Sequence, residues 1–312
     1  MISILTRKLF FLIFQSKSLS DSKQHHLNLV IVGHVDAGKS TLTGHLMYLM
    51  KEIDENSMHK FEKESKLSKM SSFKYAWALD ETQEERSRGV TIDTGIKTIR
   101  TRSKLITFLD APGHRDFIPN MINGASQADA AILVIDSNIN AFEAGFERGG
   151  QTREHAYLIK ALGVQQTVVV LNKMDMVNWS KERYDNIVDA IKNYFVSNLG
   201  FEEDKLFFVP ISSFLGINIV DPKNIPKEGN WYNGSCLVDI IDKLNVPPKE
   251  INKPLRISIT NAYQSNVGKL KGFCVSGKIE SGILLNKKNY MLLPSTTLFA
   301  VKGNEISNLF LI

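Results

Sequence analysis

Several features that would identify other classes of protein are scarce in this chain. Only two of its 312 residues are cysteines, Cys236 and Cys274, and their positions fit no metal-ligand spacing. Neither a disulfide framework nor a zinc site is therefore expected, and a reducing compartment is the default. No stretch of about 18 consecutive apolar residues occurs, so no membrane span is expected. No internal repeat is found either.

Acidic residues are missing from the first twenty positions, MISILTRKLFFLIFQSKSLS, which are basic and contain serine. The unbroken apolar core Leu9–Phe14 is shorter than that of a normal signal peptide, and no small-residue cleavage site follows. A mitochondrial transit peptide stays open as an alternative. We interpret residues 1–26 as a disordered or mispredicted leader, and we expect a cytoplasmic protein.

The bulk composition is that of a globular protein, with 43% hydrophobic and 23% charged residues. The length favours about two domains. The net charge of +5 is compatible with a polyanionic partner such as a nucleotide or RNA but does not require one. Neither DNA binding nor self-association is indicated, and we expect a monomer.

Short apolar runs alternate with longer segments of helical pattern from Leu27 onward, which predicts a doubly wound, mostly parallel α/β domain. Pro247 and Pro248 mark the best linker, because proline cannot continue a helix. We therefore predict one domain over residues 27–247 and an all-β domain, starting as a partial barrel, over residues 248–312. The predicted strands of the first domain are Leu29–Val32, Leu105–Leu109, Ala130–Ile135, Thr167–Leu171 and Leu206–Ile211, and its predicted helices are Lys39–Met50, Thr152–Leu162, Lys181–Leu199 and Cys236–Leu244. The lysine-rich segment Met58–Lys74 is interpreted first as a solvated helix face and second as an RNA contact. In the second domain the strand-like runs are Leu255–Thr260, Phe273–Ile279 and Tyr290–Leu293.

The segment GHVDAGKST follows the first predicted strand and opens the first predicted helix. It matches the pattern G-x-x-x-x-G-K-[ST] through Gly33, Gly38, Lys39 and Ser40. Glycines let backbone N–H groups approach phosphates, and the helix N-terminus adds the positive end of its dipole. We expect Lys39 to reach the β- and γ-phosphates and the Ser40 hydroxyl to ligate Mg²⁺.

Two further segments fit the same site. Asp110 ends a predicted strand and begins the segment Asp-Ala-Pro-Gly. At this position in a phosphate-loop protein, the aspartate holds Mg²⁺ through water, and the amide of the glycine, here Gly113, lies near the γ-phosphate. Alone, this pattern is equally a β-turn. Thr91 in RGVTID is the candidate switch threonine that completes Mg²⁺ coordination, although a threonine in a charged loop is usually no more than that.

The segment NKMD, Asn172 to Asp175, predicts the base. The Asp175 carboxylate can accept hydrogen bonds from guanine N1–H and the 2-amino group, which adenine lacks, and such a site rejects the analogue strongly. Asn172 can contact the other edge of the base while the Lys173 stem covers its face. In PISSF, the backbone amides of Ser212 and Ser213 could meet guanine O6.

Together these motifs resemble the translational GTPases, whose members share a phosphate-loop GTPase domain followed by two β-barrels. The elongation-factor-one-alpha branch is indicated by GHVDAGKSTLTGHL, FKYAWALDETQEERSRGVTID, DAPGHRDFIPNMI and GGQTREHA. Within it, YAWALDETQEERSRGVT, NKMDMVNWSKERYDNI and GFCVSGKIESG most resemble the Hbs-one-like ribosome-rescue GTPases, the partners of Pelota. Release-factor-three-like termination GTPases and elongation-factor-one-alpha-like tRNA carriers stay open, and a regulatory subunit of a sulfate-activating enzyme is a more distant alternative.

The resemblance implies roles at matching positions only. His114 would orient the attacking water, Val35 and Val90 would form a hydrophobic gate before it, and Asp36 matches a position that in relatives can hold a monovalent cation. Thr91 would lie in switch I, and Asp110 to His114 would open switch II. The implied GTP contacts are Gly33, His34, Val35, Asp36, Ala37, Gly38, Lys39, Ser40, Thr41, Asp110, Gly113, Asn172, Lys173, Asp175, Ser212, Ser213 and Phe214.

The resemblance extends from about Leu27 to Gly303, after which the chain reads NEISNLFLI. We therefore expect a partial second domain with unpaired strand edges, no third domain and no amino-terminal partner-binding region. A truncated gene model accounts for both ends more simply than a functional short form does. The expected activity is a ribosome-stimulated GTPase that escorts a Pelota-like factor to stalled ribosomes.

Overall fold

The computed structural model describes residues 25–67, 75–76, 95–110, 122, 127–147, 150–248, 250–267, 270–285 and 288–300. The backbone separates into two compact units, one over Gln24–Val246 and one that contains Pro247–Ile312. The chain thus divides at the Pro-Pro pair.

The first unit alternates strands and helices. Its strands are β1 (His25–Gly33), β2 (Gly95–Arg100), β3 (Lys104–Asp110), β4 (Ala130–Asp136), β5 (Gln166–Asn172) and β6 (Leu206–Pro210). Its helices are α1 (Lys39–Leu49), α2 (Glu55–Leu67), α3 (Ala141–Phe146), α4 (Gln151–Ala161), α5 (Lys181–Asn193) and α6 (Leu237–Lys243). Among the described residues, no helix is both long and apolar enough to cross a membrane.

The six strands form one sheet in the order β2-β3-β1-β4-β5-β6. All neighbours are parallel except β2, which runs antiparallel to β3 at one edge. The doubly wound, mostly parallel sheet is therefore confirmed. In such sheets ligands bind beyond the carboxyl ends of the strands, which here are the ends that carry Gly33, Asp110, Asp136 and Asn172.

Each face of the sheet has its own core because side chains alternate along a strand. From β1, Leu27, Leu29 and Ile31 enter one buried cluster, which α1 and α6 cover. Val30 and Val32 enter the other cluster, which is covered by α4 and α5. Burying side chains of this size contributes roughly 1.5–3 kcal/mol each, so the central strand that carries the phosphate loop is firmly held.

Local sequence explains where helices begin. The Ser180 side chain accepts a hydrogen bond from the Arg183 N–H and caps α5, as serine does at helix N-termini. The helix predicted over Lys181–Leu199 is present, but its last turns, Tyr194–Asn198, are π-helical.

Two elements of the first unit differ from the expectation. The helix predicted over Met58–Lys74 is present as α2 up to Leu67, and residues 68–74 lie outside the described part of the chain. It starts earlier than predicted, at Glu55, where the Asp54 carboxylate accepts hydrogen bonds from the Ser57 N–H and hydroxyl. The edge strand β2 was not predicted from its short sequence, GIKTIR.

The second unit consists of antiparallel strand pairs. Its strands are β7 (Arg256–Val267), β8 (Leu270–Ser281), β9 (Asn289–Leu292) and β10 (Thr297–Ala300). β7 pairs with β8, with an irregularity between Ile259 and Asn261, and β9 pairs with β10. This is consistent with part of a β-barrel, and β7 and β8 are longer than the sequence runs Leu255–Thr260 and Phe273–Ile279 predicted.

Candidate functional site

The phosphate loop joins β1 to α1, and close packing requires glycine at both of its ends. A Cβ added to Gly33, whose φ is +151°, would lie 2.3 Å from the Val134 carbonyl oxygen. A Cβ on Gly38, whose φ is +91°, would lie 2.4 Å from Nδ2 of Asn172. The loop is therefore pressed against β4 and β5, and the N-terminus of α1 opens at Lys39 toward the carboxyl ends of the strands.

Lys39 is buried within this loop. Its Nζ donates to the carbonyl oxygens of Gly33 at 3.0 Å and His34 at 2.9 Å. Burial lowers the pKa of Lys39 to about 8, and the negative charges of Asp110 and Asp36 oppose this shift. An anion bound beside this buried ammonium group would stabilise its positive charge, which neutral carbonyls do only in part. The surroundings of Lys39 therefore suit a phosphate ligand.

Two oxygen-bearing residues lie on the elements that flank the loop. Asp110 is the last residue of β3, where it pairs in register with Ile31 of β1, and it is 3% exposed. Ser40 is the second residue of α1 and is half-buried. A carboxylate and a hydroxyl are the hard oxygen donors that Mg²⁺ prefers. Because Mg²⁺ keeps several waters and nucleotide phosphates as ligands, two such side chains fit it.

Asn172 connects the phosphate loop to the loop that follows β6. Its Nδ2 donates to the Ala37 carbonyl at 2.8 Å, and its Oδ1 accepts from the Ser213 N–H at 2.9 Å. The side chain is 2% exposed. Asn172 thus connects two loops inside the protein, and its predicted contact with the edge of the base stays a prediction.

The amides predicted to meet guanine O6 already have partners in this structure. The Ser212 N–H donates to the Ile217 carbonyl, and the Ser213 N–H donates to Asn172. Phe214, the next residue, is 46% exposed. The role predicted for the Ser212 and Ser213 amides therefore requires these bonds to change, and it stays a prediction.

Two further residues of NKMD, Lys173 and Asp175, are the other predicted contacts to the base. Lys173 has a left-handed backbone, and its Nζ forms an ion pair with Asp136 at 2.7 Å, which holds the side-chain stem in place. Asp175 lies half-buried in a 3-10 turn, Met174–Val177. No side chain or amide among the described residues is bonded to the Asp175 carboxylate, so this carboxylate is available to a ligand.

The remaining predicted residues divide into two groups. Val35 and Thr41 are half-buried, Ala37 is buried, and Asp36 is exposed with a left-handed φ of 60°. The other residues lie outside the described part of the chain, so their predicted roles are not tested there: Val90, Thr91, Gly113 and His114.

Sequence reasoning missed two residues of this site. Asp136, the ion-pair partner of Lys173, ends β4 at the same sheet edge as Asp110, and that position was the available signal. His155 on α4 is buried, and desolvation with the nearby charges of Lys39 and His34 lowers its pKa to about 3. The His155 ring is therefore neutral, and no sequence signal distinguished it from other helical histidines.

Comparison with known proteins agrees with this geometry. The family model described as the elongation factor Tu GTP binding domain matches residues 24–248. The chain belongs to the translational GTPases. The Protein HBS1 of Drosophila melanogaster is 49% identical over 273 residues, which cover 87% of this chain and 40% of that protein. Elongation factor 1-alpha of Desulfurococcus mucosus is 45% identical over 290 residues, which cover 92% of this chain and 64% of the factor.

Solved structures of translational GTPases and related proteins share the fold. The S. cerevisiae Ski7 GTPase-like domain, bound to GDP and inorganic phosphate, matches with a TM-score of 0.74 at 23% identity, over 88% of this chain and 63% of that one. Sup35 complexed with GDP matches with a TM-score of 0.54 at 31% identity, over 93% of this chain and 60% of that one. The GTPase chain described here thus spans about 40–64% of the length of these relatives.

Proposed function

We propose that this chain binds GTP and hydrolyses it as part of a translation factor that acts on stalled ribosomes. The observation that carries the proposal is the convergence of three segments at one sheet edge. Asn172 of NKMD is hydrogen-bonded both to the phosphate loop, at Ala37, and to the loop after β6, at Ser213. These bonds support the proposal because they join the segment proposed to read the base to the loop proposed to bind the phosphates.

The phosphates would lie at the N-terminus of α1, where the helix dipole and the loop amides favour anions. Lys39 would leave one of its carbonyl partners and pair with the β- and γ-phosphates. Ser40, Asp110 and Thr91 would hold Mg²⁺, Asp110 through water. When bound, this ion offsets the negative charge of the phosphates. We also propose that the exposed Asp36 carboxylate holds a monovalent cation near the nucleotide.

The guanine base would lie against the stem of Lys173, which the ion pair with Asp136 keeps in place. The Asp175 carboxylate would accept hydrogen bonds from N1–H and the 2-amino group of guanine. This selects guanine over adenine because adenine would leave the carboxylate unpaired.

Hydrolysis requires water in line with the γ-phosphorus. We assign the orientation of this water to His114. Val35 and Val90 would form a hydrophobic gate in front of His114, and the Gly113 N–H would lie near the γ-phosphate. Positioning and charge stabilisation supply most of the acceleration in phosphoryl transfer. The buried Lys39 would supply the positive charge from within this chain, and the ribosome would bring His114 inward.

The biological role that we propose is ribosome rescue in the cytoplasm, as a monomer with a Pelota-like partner. The 49% identity to Protein HBS1 supports it. Tests would measure GTP turnover by the purified chain alone, with ribosomes, and with stalled ribosomes plus a Pelota-like protein. We expect the largest stimulation in the third condition. Equal stimulation by aminoacyl-tRNA or by a release factor would instead favour delivery or termination.

Base recognition is tested separately with Asp175→Asn. This variant should lose affinity for GTP and gain affinity for xanthosine triphosphate, since the amide can donate to the 2-oxo group. Binding of both nucleotides would be measured by competition with a fluorescent GDP. An unchanged guanine preference would contradict the assignment of Asp175.

A further inference from the structure

In the loop after β6, residues 211–217, which we call the base-recognition loop, Ser213 makes hydrogen bonds with two other parts of the protein. The Ser213 N–H donates to Oδ1 of Asn172 at 2.9 Å, and the Ser213 carbonyl oxygen is hydrogen-bonded to Nδ1 of His45, in α1, at 2.6 Å. Because a carbonyl can only accept, Nδ1 of His45 carries the proton. The base-recognition loop is therefore tied to α1 as well as to NKMD.

The bond to His45 fixes a whole peptide plane. The Ser213 carbonyl and the Phe214 N–H belong to the same planar trans peptide unit, so they point in opposite directions. With the carbonyl directed at His45, the Phe214 N–H is directed away from α1. The N–H groups of Ser212, Ser213 and Leu215 are bonded within the protein, whereas no such bond within the described part of the chain holds the Phe214 N–H, which belongs to the peptide unit that His45 fixes.

The His45 ring is itself held in one orientation. It stacks on Tyr75 with a centroid distance of 3.8 Å and an interplanar angle of 9°. On another side, a Cβ added to Gly216 would lie 2.7 Å from Cε1 and 2.9 Å from Nε2 of the ring. Gly44 lets Tyr75 approach, because a Cβ there would lie 2.0 Å from the Tyr75 carbonyl oxygen. His45 is 5% exposed, so little room is left for another rotamer.

We infer that His45 is a positioning residue for guanine recognition, which holds the Ser213–Phe214 peptide so that the Phe214 N–H faces O6 of the base. The inference rests on the proposed function, since it assumes a guanine ligand read by Asp175. Under this inference, different residues determine the recognition of two parts of the guanine base. Asp175 reads N1–H and the 2-amino group, whereas His45 acts through Phe214 on O6 alone.

The test uses nucleotides that differ from GDP at one atom or group. 6-Thioguanosine diphosphate keeps N1–H and the 2-amino group but replaces O6 by sulfur, a weaker acceptor. Inosine diphosphate keeps O6 and lacks the 2-amino group. The dissociation constants of all three would be measured by competition with a fluorescent GDP for the parent, His45→Ala, His45→Asn and Gly216→Ala. Met47→Ala, at another buried position of α1, is the control for general destabilisation.

We expect His45→Ala to reduce the preference for GDP over the 6-thio analogue by roughly 2- to 10-fold, the range of one neutral hydrogen bond. Its preference for GDP over inosine diphosphate should stay as in the parent. His45→Asn, which keeps a donor near the Nδ1 position, should recover most of the O6 preference. Gly216→Ala, which displaces the ring and also strains the left-handed backbone of Gly216 (φ +74°), should lose at least as much O6 preference as His45→Ala. Met47→Ala should change neither preference.

Three results would overturn the inference. The first is an unchanged O6 preference in His45→Ala and Gly216→Ala. The second is an equal loss of both preferences in His45→Ala and Met47→Ala, which would indicate a purely structural role. The third is a parent protein that binds all three nucleotides alike, which would refute the proposed guanine recognition itself. Because Gly216→Ala and His45→Asn perturb the contact differently, failure of one variant to fold leaves the test intact.

Discussion

Replacement of Asn172 by alanine tests the brace between the phosphate loop and the base-recognition loop. The side chain is 2% exposed and makes two hydrogen bonds, to the Ala37 carbonyl at 2.8 Å and from the Ser213 N–H at 2.9 Å. Truncation leaves both backbone groups buried without a partner. Each such group costs about 1–3 kcal/mol, so Asn172→Ala should lower the free energy of unfolding by roughly 2–6 kcal/mol.

Urea denaturation followed by the fluorescence of the three tryptophans would measure this loss without nucleotide. Asn218→Ala is the matched control, because Asn218 is also fully buried and donates to a backbone carbonyl, that of Pro210, at 2.8 Å. Both variants should be destabilised, but only Asn172→Ala should also lose GDP affinity by more than ~10-fold, equivalent to about 1.4 kcal/mol. An unchanged urea midpoint for Asn172→Ala, or an equal loss of affinity in both variants, would refute the reasoning.

Three further predictions follow from buried or catalytic groups. The pKa of Lys39 is about 8 rather than 10.5, so the free energy of unfolding should rise between pH 8 and pH 10.5, where the buried amine is neutral. GDP affinity should fall above pH 8, because the amine loses its charge. Calorimetry from pH 7 to about pH 9 should show no such fall in affinity for Lys39→Ala. His155 stays neutral in the folded protein down to about pH 3, whereas in the unfolded chain it gains a proton below about pH 6.5. The parent should therefore lose up to ~1.4 kcal/mol of stability per pH unit below about pH 6.5 relative to His155→Gln. Equal losses of stability in the parent and His155→Gln, measured by urea titration, would contradict this. His114→Ala should bind GTP nearly normally but hydrolyse it at least ~10-fold more slowly on ribosomes, and equal single-turnover rates would exclude the catalytic role.

The sheet was predictable because its physical signal is local. Five strands buried on both faces appear as continuous apolar runs, and the phosphate loop lies at the expected strand–helix junction. The edge strand β2 was missed because a six-residue edge strand needs no such run. The start of α2 was missed because the cap at Asp54 lies before the charged pattern that was used to place the helix.

The site was only partly predictable for a different reason. Motifs identify residues that meet a ligand, and Lys39, Asn172 and Asp175 lie at the expected sheet edge. The internal partners of these residues depend on three-dimensional packing that no motif records. His45 meets Ser213 across 168 positions of sequence, and the ion pair of Lys173 with Asp136 spans 37.

The central position of β1 has a consequence for how the protein is made. β1 is made before the other strands of its sheet, and its partners β3 and β4 end about 77 and 103 residues later. Ser213, which completes the braced loop, follows Gly33 by about 180 residues. At synthesis rates of roughly 5–20 residues per second, β3 is completed about 4–15 s after β1, and Ser213 is made about 9–36 s after β1. The proposed nucleotide site can therefore form only after Ser213 has been made, and from then on a bound nucleotide would draw the newly formed sheet toward the native state.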